Sequence, residues 1–274
     1  MAQAPVAFDG SIPATYDRLL GPMLFEPYAR DIVQRLHLGR TPRVLEIACG
    51  TGRVTRHLLA SMGGNALLTA TDLSPSMLLE ARVRIGDDRR VTWQEADAMK
   101  LPFEDGAFDA VVCQFGVMFF PDKALGLAEM HRVLAPRGRL AFNTWDSMEQ
   151  NPYAAVASRA VKEFFPFDPP TFFDIPFGLH DVPALEALAT EAGFTKVQVT
   201  TRADVMKCAR TLDAATGFVR GNPMINALKE RGVADVDAII RAVEGAFRRE
   251  FGDSPMRSTM QAHVVTAQKA ALPG

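Results

Sequence analysis

Short apolar runs alternate with amphipathic stretches along the chain from Val44 onward. The apolar runs predict strands at residues 44–48, 67–72, 91–95, 108–114 and 138–145. Helical periodicity in three of the gaps predicts helices at residues 53–61, 75–84 and 122–134. Ser74 fits the N-cap of the second of these helices, and Pro75 fits its first turn. Strands that alternate with helices in this order predict an α/β fold, with a parallel sheet covered on both faces.

The pattern changes after Trp145. Residues 150–180 contain FFPFDPPTFFDIPF, which is too apolar for a linker and too rich in proline for a helix, so we predict a cap inserted over a pocket. The later patterns predict helices at residues 182–192, 211–221 and 236–251 and strands at residues 195–203 and 258–268. The last two strands are expected to pair with each other at the edge of the sheet. Another helix is expected near residues 25–36, beside the sheet or over a cofactor.

Composition narrows the class of protein. The chain has 274 residues, 48% of them hydrophobic, and a formal net charge of -2, so no global charge points to nucleic acid or to an anionic membrane. Three widely spaced cysteines and five scattered histidines form no disulfide or metal-binding pattern, which favours a reducing, cytoplasmic location and no metal. The N-terminus lacks the features of a signal peptide, and no apolar run reaches the roughly 18 residues of a membrane span.

The most informative segment is VLEIACGTG, which occupies Val44–Gly52. An apolar strand enters a Gly-x-Gly turn and then a helix, and glycine lets the backbone approach a ligand where any Cβ would collide. Three acidic residues strengthen this weak motif. Glu46 lies inside the strand, where a charge requires a partner, Asp72 ends the second strand, and Asp97 follows the third. An acid at the end of the second strand can accept hydrogen bonds from the hydroxyls of a ribose.

Four sequence blocks together resemble the class I S-adenosylmethionine-dependent methyltransferases, especially the ubiquinone/menaquinone-biosynthesis type (Methyltransferase type 11-like). The blocks are VLEIACGTG, TATDLSPSML, EADAMKLPFEDGAFDAVVCQFGVMFFPD and LAEMHRVLAPRGRLAF, and they cover roughly residues 44–146. The resemblance implies S-adenosyl-L-methionine as cofactor. It predicts a set of cofactor-binding residues: Tyr16, Glu46, Ala48, Gly50, Gly52, Asp72, Leu73, Met77, Asp97, Ala98, Gln114 and Phe115.

The family implies a particular role for several of these positions. The loop Gly50–Gly52 would lie under the methionine portion, Asp72 would hold the ribose, and Asp97 with Ala98 would bracket adenine. Gln114 and Phe115 would line the side of the methyl donor. The assignment of Tyr16 is looser, because it rests on the aromatic residue that the family often carries in an N-terminal helix or lid.

The resemblance also refines the fold and the organisation of the chain. We predict a Rossmann-like, doubly wound, mostly parallel seven-stranded sheet with an antiparallel last strand and a helical or loop cap. A single domain would comprise an N-terminal helical lid at 1–43, a cofactor-binding core at 44–146 and a cap insertion at 147–181. Residues 182–274 would complete the sheet and carry a helical insertion.

Two other function classes remain alternatives. In the G-x-G-x-x-G register of nicotinamide-dependent oxidoreductases the third glycine position holds Thr55, which would hold the helix away from a pyrophosphate. A methyltransferase-fold binding protein without turnover would keep the same cofactor residues. A nucleic-acid base is a poor acceptor, because Gln114-Phe115-Gly116-Val117 stands where base methyltransferases usually carry Asn-Pro-Pro-aromatic.

Aromatic residues suggest the acceptor. Phe119, Trp145, Phe172 and Phe173 are predicted to hold a small, apolar or aromatic molecule in line with the donated methyl group. The sequence identifies no general base. The polar candidates near the predicted lid and cap are Tyr16, Tyr153, His180 and Asp181.

Plainer roles stay open for the three acids. Glu46 could be a buried acid bonded to the loop, Asp72 a helix cap and Asp97 a turn residue.

Overall fold

The computed structural model of the chain describes residues 7–39 and 42–272. The strands are β1 Arg43–Ile47, β2 Leu67–Asp72, β3 Val91–Glu95, β4 Phe108–Gln114, β5 Leu134–Trp145, β6 Thr195–Cys208 and β7 Met256–Gln268. Over these described residues they form one seven-stranded sheet in the order β3-β2-β1-β4-β5-β7-β6. Strand β7 runs antiparallel to both of its neighbours, and the other pairings are parallel. The predicted Rossmann-like, mostly parallel sheet is confirmed.

Helices cover both faces of this sheet. They are α1 Ile12–Thr15, α2 Glu26–Arg35, α3 Arg53–Ser61, α4 Pro75–Ile85, α5 Lys123–Val133, α6 Pro152–Lys162, α7 Val182–Glu191, α8 Thr211–Arg220, α9 Met224–Glu230 and α10 Val236–Phe251. A π-helix, Tyr16–Phe25, joins α1 to α2, and single 3-10 turns occur at Val117–Phe119 and Phe172–Asp174. Within residues 7–39 and 42–272, no helix combines the length and the apolar character that crossing a membrane requires.

The order of the strands creates a topological switch point between β1 and β4. The chain builds β1, β2 and β3 outward in one direction and then returns to add β4 on the other side of β1. Val44 of β1 pairs with Leu68 of β2 and with Ala110 of β4. At such a switch point the loops after the two strands diverge and leave a crevice at their carboxyl ends, where ligands bind in open α/β sheets.

Three apolar clusters hold the layers together. One packs α2 and α3 against one face of the sheet, and a second packs α5 and α7 against the other. The third cluster lies beyond the carboxyl ends of the strands and joins the N-terminal segment to α6, α8 and α10. Its largest fully buried side chains include Tyr28, Tyr153 and Phe247. This aromatic cluster closes the crevice from above.

Most predicted elements have the expected type, and five have the predicted bounds: α3, β2, β3, β4 and α10. Three strands, β5, β6 and β7, are longer than predicted because pairing extends them. β5 begins at Leu134, which pairs with Phe108, and β6 continues to Cys208, which pairs with Met256. The pair β6–β7 lies at the end of the sheet as predicted, with β6 as the edge strand.

Four helical segments were not predicted as separate elements: α1, the π-helix, α6 and α9. Helix α6 directly precedes the Phe- and Pro-rich stretch, and α9 follows Pro223 within the C-terminal part. The π-helix contains Gly21 and Pro22, a pair that ordinarily predicts a helix break. Residues 164–177 themselves form only a 3-10 turn and irregular backbone, in keeping with their proline content.

Candidate functional site

A cavity of about 660 Å³ lies at the switch point between β1 and β4. Its wall is built by the N-terminal segment, the loops after β1, β2, β3 and β4, the Phe- and Pro-rich cap and α8. This volume is within the range of small-molecule and cofactor sites. The cavity has a polar end over the loops of β1, β2 and β3 and an aromatic end under the cap.

The glycine loop forms the floor of the polar end. After β1 the backbone turns into the left-handed region at Ala48, with φ of 52°, and again at Gly50, with φ of 55°. The Gly50 amide donates a 2.8 Å hydrogen bond to Asp72 Oδ2, and the Cys49 amide donates to the carbonyl of Thr71 at 2.9 Å. A Cβ built on Gly50 would meet no atom within 4 Å. The loop is therefore held from the side of β2 and leaves open space above Gly50.

Asp72 presents its carboxylate at the end of β2. Oδ1 accepts a 2.9 Å hydrogen bond from the Ser74 amide, while Oδ2 holds Gly50. Burial raises the pKa of Asp72, and these backbone hydrogen bonds oppose that rise. The helix cap of α4 is Ser74, whose hydroxyl accepts from the Met77 amide at 3.3 Å. Each carboxylate oxygen keeps a lone pair that can accept a ligand hydroxyl.

Asp97 forms a turn at the end of β3. Its Oδ1 accepts a 2.9 Å hydrogen bond from the Met99 amide, as an aspartate in a tight turn commonly does. Asp97, Ala98 and Met99 all line the cavity. The turn therefore shapes a flat wall beside the polar end and keeps one carboxylate oxygen available.

Glu46 and Gly52, both predicted as cofactor-binding residues, lie behind the loop and do not line the cavity. Glu46 is 2% exposed and accepts a 2.6 Å hydrogen bond from the Thr55 hydroxyl, and burial raises the pKa of Glu46 to about 8. Gly52 has φ of 84°, and a Cβ there would stand 3.3 Å from Ile85 of α4. Thr55, which departs from the dinucleotide pattern, is thus the partner of the buried acid. These residues shape the loop from below.

Strand β4 ends in a second strained position. Phe115 has φ of 51°, and its amide donates to Asn143 Oδ1 at 2.9 Å. Gln114 Nε2 donates to the Phe25 carbonyl at 3.1 Å, which ties β4 to the N-terminal segment. Oε1 of Gln114 has no hydrogen-bond partner in the described part of the chain. Left-handed backbone at ordinary residues clusters at functional sites, and here Ala48 and Phe115 end the two strands that flank the crevice.

The aromatic end is centred on Trp145. The indole stacks on Phe115 at 4.1 Å between ring centroids, and Tyr153 and Phe177 pack around it at 6.3 and 6.2 Å. Burial raises the pKa of Tyr153, whose hydroxyl donates to Asn151 at 3.2 Å. The phenol is therefore neutral and already partnered within the protein.

The N-terminal segment supplies a further wall. Tyr16 stacks on Phe25 at 4.9 Å, and Phe8 meets Tyr16 and Phe119 edge-on. Burial also raises the pKa of Tyr16. Phe8, Tyr16 and Phe25 of this segment all line the cavity, and its role as a lid stays a prediction.

The structure brings most of the predicted site residues together. The predicted residues that line the cavity are Tyr16, Ala48, Gly50, Asp72, Leu73, Met77, Asp97, Ala98, Gln114, Phe115, Phe119, Trp145, Phe172 and Phe173. Their contacts with a cofactor or an acceptor stay predictions. Other lining residues were missed, among them Phe8, Leu20, Phe177, Phe218 and Asn222. Apart from Asn222, only their apolar or aromatic character marked them, and core residues share that character.

Two of the base candidates lie outside the cavity wall. His180 Nδ1 is 2.8 Å from the Phe177 carbonyl, and Asp181 caps α7 through a 2.8 Å bond from the Ala184 amide. In residues 7–39 and 42–272, no group of three or more histidine, cysteine, aspartate or glutamate side chains could hold a metal ion.

Comparisons with known proteins agree with this geometry. A family model described as a methyltransferase domain matches residues 44–138. The ubiquinone/menaquinone biosynthesis C-methyltransferase UbiE of Citrifermentans bemidjiense is 36% identical over 140 residues, which are 49% of this chain and 60% of that protein. The demethylmenaquinone methyltransferase of Staphylococcus haemolyticus is 29% identical over 211 residues, 69% of this chain and 84% of that protein.

A solved structure extends the similarity of fold. Phosphoethanolamine N-methyltransferase 2 of Haemonchus contortus, in complex with S-adenosyl-L-methionine, superposes with a TM-score of 0.59 at 18% identity. The superposition covers 94% of this chain and 56% of that one. The chain spans three fifths of the length of the first curated relative. Residues 44–138 form a methyltransferase domain, and the chain is similar to the class I S-adenosylmethionine-dependent methyltransferases of the UbiE type.

Proposed function

We propose that this protein transfers a methyl group from S-adenosyl-L-methionine to a small, apolar, ring-bearing acceptor by in-line displacement. The observation that carries the proposal is a single cavity that joins a polar end to an aromatic end. The polar end presents Asp72 and Asp97, and the aromatic end presents Phe115 and Trp145. A cofactor that contains a nucleoside and an apolar acceptor would therefore meet inside one cavity.

S-adenosyl-L-methionine is the cofactor of this family, and the residues present fit it. Open space above Gly50 accommodates a ligand that lies directly on the backbone. Asp72 offers acceptor positions for ribose hydroxyls, and Asp97 stands in the wall that would face adenine. The cofactor, when bound, supplies a sulfonium-linked methyl group that is already electrophilic. The protein needs to align the acceptor with it and keep water away.

The aromatic end supports that alignment. Rings of Trp145, Phe172 and Phe173 present flat apolar surfaces that exclude water and orient a ring-bearing acceptor. Positioning of this kind can lower a barrier by about 7–11 kcal/mol. The relatives named for ubiquinone and menaquinone biosynthesis are consistent with a ring acceptor.

We further propose that no side chain at the aromatic end acts as a general base. Among the described residues that line the cavity, the ionisable ones are Tyr16, Tyr153, Asp72, Asp97 and Asp122. Burial raises the pKa values of both tyrosines, so they are neutral donors at physiological pH. Asp122 caps α5 through a 2.9 Å bond from the Leu125 amide. The acceptor would therefore release its proton to solvent after methyl transfer, with no side chain at this end accepting it.

Binding and turnover test the proposal separately. We expect adenosylhomocysteine to raise the melting temperature and NAD to leave it unchanged, because only the former matches the loop and Asp72. Radiolabelled S-adenosylmethionine should then transfer its methyl group to neutral ring compounds, assayed alongside charged acceptors of similar size. Stabilisation by NAD alone would favour the oxidoreductase alternative. Adenosylhomocysteine binding without transfer to any acceptor would favour the non-catalytic alternative.

The two glycines of the loop should separate affinity from stability. Both have positive φ, so alanine at either position introduces about 1–2 kcal/mol of backbone strain. We expect Gly50→Ala to weaken adenosylhomocysteine binding more than Gly52→Ala does, because the new methyl group enters the open space of the site. Gly52→Ala should lower the free energy of unfolding more than Gly50→Ala does, because the new methyl group presses on Ile85. Calorimetry and urea unfolding measure the two effects, and an identical pattern for both variants would contradict these placements.

The remaining predictions concern location and partners. We propose a cytoplasmic location and a small-molecule acceptor in place of nucleic acid. The net charge of -2 and the absence of a disulfide pattern in the sequence support this.

A further inference from the structure

One buried carboxylate connects the N-terminal wall of the cavity to the glycine loop. Asp17 is 5% exposed and accepts a 2.8 Å hydrogen bond from the hydroxyl of Thr51, the residue between the two loop glycines. Arg53 of α3 approaches the same carboxylate at 3.0 Å and Arg84 of α4 at 2.8 Å. A single side chain of the π-helix therefore contacts the loop and two helices of the cofactor-binding core.

The π-helix is shaped to receive Arg53. In π spacing the carbonyl of Asp17 would accept from residue 22, which is a proline and has no N–H. Arg53 Nη2 donates to this carbonyl at 2.6 Å. A Cβ added to Gly21 would collide with the Arg53 guanidinium, so glycine makes room for the arginine. The irregular π-helix, which the sequence did not predict, thus accommodates the guanidinium of the partly buried Arg53.

This cluster lies directly behind the cavity wall. Tyr16, which lines the cavity, precedes Asp17 in the same helix, and Thr51 follows Gly50, which lines it from the opposite side. Asp17, Thr51 and Arg53 are not part of the lining. The cluster can therefore set the separation of two walls without touching what lies between them.

We infer that Asp17 is a positioning residue, which locks the π-helix onto the glycine loop and thereby slows the release of cofactor and product. The inference rests on the proposed function, since it takes the cavity between these walls as the site of S-adenosylmethionine. Opening the N-terminal wall requires that the Asp17 carboxylate leave Thr51, Arg53 and Arg84 together. Opening would take the buried Asp17 carboxylate away from both cations, whereas Arg53 keeps Glu26 and Arg84 keeps Glu80, so the closed arrangement is favoured by the contacts of Asp17 itself.

The chain offers a matched control in the same segment. Asp31 of α2 pairs with Arg35 at 2.6 Å and with Arg202 of β6 at 2.8 Å. This cluster also fastens the N-terminal segment to the sheet, but it contacts neither the glycine loop nor the cavity lining. Asp31→Asn therefore removes a comparable ion pair without loosening the loop.

The test compares the release of adenosylhomocysteine from Asp17→Asn, Asp31→Asn and the wild type by stopped-flow displacement. We expect Asp17→Asn to raise the dissociation rate and the Kd about tenfold, equivalent to about 1.4 kcal/mol, while Asp31→Asn stays within twofold of the wild type. Melting temperatures recorded in parallel report general stability. A structural role alone would lower both melting temperatures and leave the dissociation rates alike.

Gly21→Ala provides an independent route that changes no charge. Its methyl group would displace the Arg53 guanidinium from the π-helix, so we expect faster release in the same direction as with Asp17→Asn. Thr51→Val removes the hydroxyl that donates to Asp17. Combined with Asp17→Ala it should add little further effect, because either change alone abolishes the hydrogen bond between the two side chains.

The outcomes test the positioning role of Asp17 separately from the proposed methyltransferase function. A wild-type protein that fails to bind adenosylhomocysteine would overturn the proposed function. Wild-type binding together with unchanged release from Asp17→Asn and Gly21→Ala would overturn the inference and leave the function standing. Equal acceleration by Asp31→Asn would also overturn it, because any loosening of the segment would then suffice.

Discussion

We expect Glu46→Gln to become progressively more stable than the wild type as the pH rises from about 4.5 to about 8. Burial beside Thr55 raises the pKa of Glu46 to about 8 in the folded protein, whereas the unfolded chain titrates near the ordinary value of 4.5. Between these values the unfolded state releases a proton that the folded state retains. The wild type then loses about 1.4 kcal/mol of stability for each pH unit, and the neutral amide of the variant does not.

The raised pKa of Glu46 fixes the direction in which stability changes with pH. The stabilising contribution of neutral Glu46 is complete below pH 4.5 and is lost as the pH rises through the folded pKa of about 8. Urea unfolding over a pH series that extends above the folded pKa of about 8 should therefore show a difference that widens up to that pKa and levels off beyond it. Glu186→Gln, at an exposed position on α7, serves as the control and should show a flat difference. A flat difference for Glu46→Gln as well would mean that Glu46 is ionised inside the strand.

Asp72→Asn should weaken adenosylhomocysteine binding by about 100-fold or more, because two charged hydrogen bonds to ribose hydroxyls are worth about 1.5–3 kcal/mol each. The Gly50 and Ser74 amides donate to different oxygens of Asp72, and the change replaces one of these oxygens with an NH₂ that cannot accept. The loop would then lose an acceptor that fixes its position. Isothermal titration calorimetry measures the affinity, and circular dichroism checks that the sheet remains intact.

The control for Asp72 is another aspartate at the start of a helix. Asp181 accepts from the Ala184 amide at 2.8 Å and does not line the cavity. Asp181→Asn should reduce stability modestly and leave affinity unchanged, as expected of a helix cap. An unchanged affinity in Asp72→Asn would instead assign Asp72 to the loop alone and refute its predicted contact with ribose.

Local signals were sufficient for the core of this protein. Strands β2, β3 and β4 have the predicted bounds because each is a short apolar run between turn residues, a pattern set by neighbours in the chain. The ends of β5 and β6 were misplaced because strand length also depends on a partner that lies far away in sequence. Helices α6 and α9 were missed for a similar reason. Residues of both are buried in the aromatic cluster, and that burial is a tertiary property.

In the site, too, local sequence signals predicted some features and tertiary packing decided others. Glycine at positions 50 and 52 marked a loop that must turn sharply, but both positions look alike in sequence. Only the packing of α4 against Gly52 and the open space above Gly50 separate them. Glu46 was expected to need a partner because a lone charge in a strand is costly. The identity of that partner, Thr55, depends on how α3 returns over β1.

The sequence by itself determined the alternation of strands and helices, the glycine bend and the acids that follow β2 and β3, because these depend on residues close together in the chain. Only the tertiary structure decided which aromatic residues line the cavity, that Glu46 is bonded to Thr55, and that Asp17 joins a π-helix to the glycine loop. Each of these contacts joins segments that the order of strands brings together. Their partners are therefore chosen by packing and burial, which no local pattern in the chain encodes.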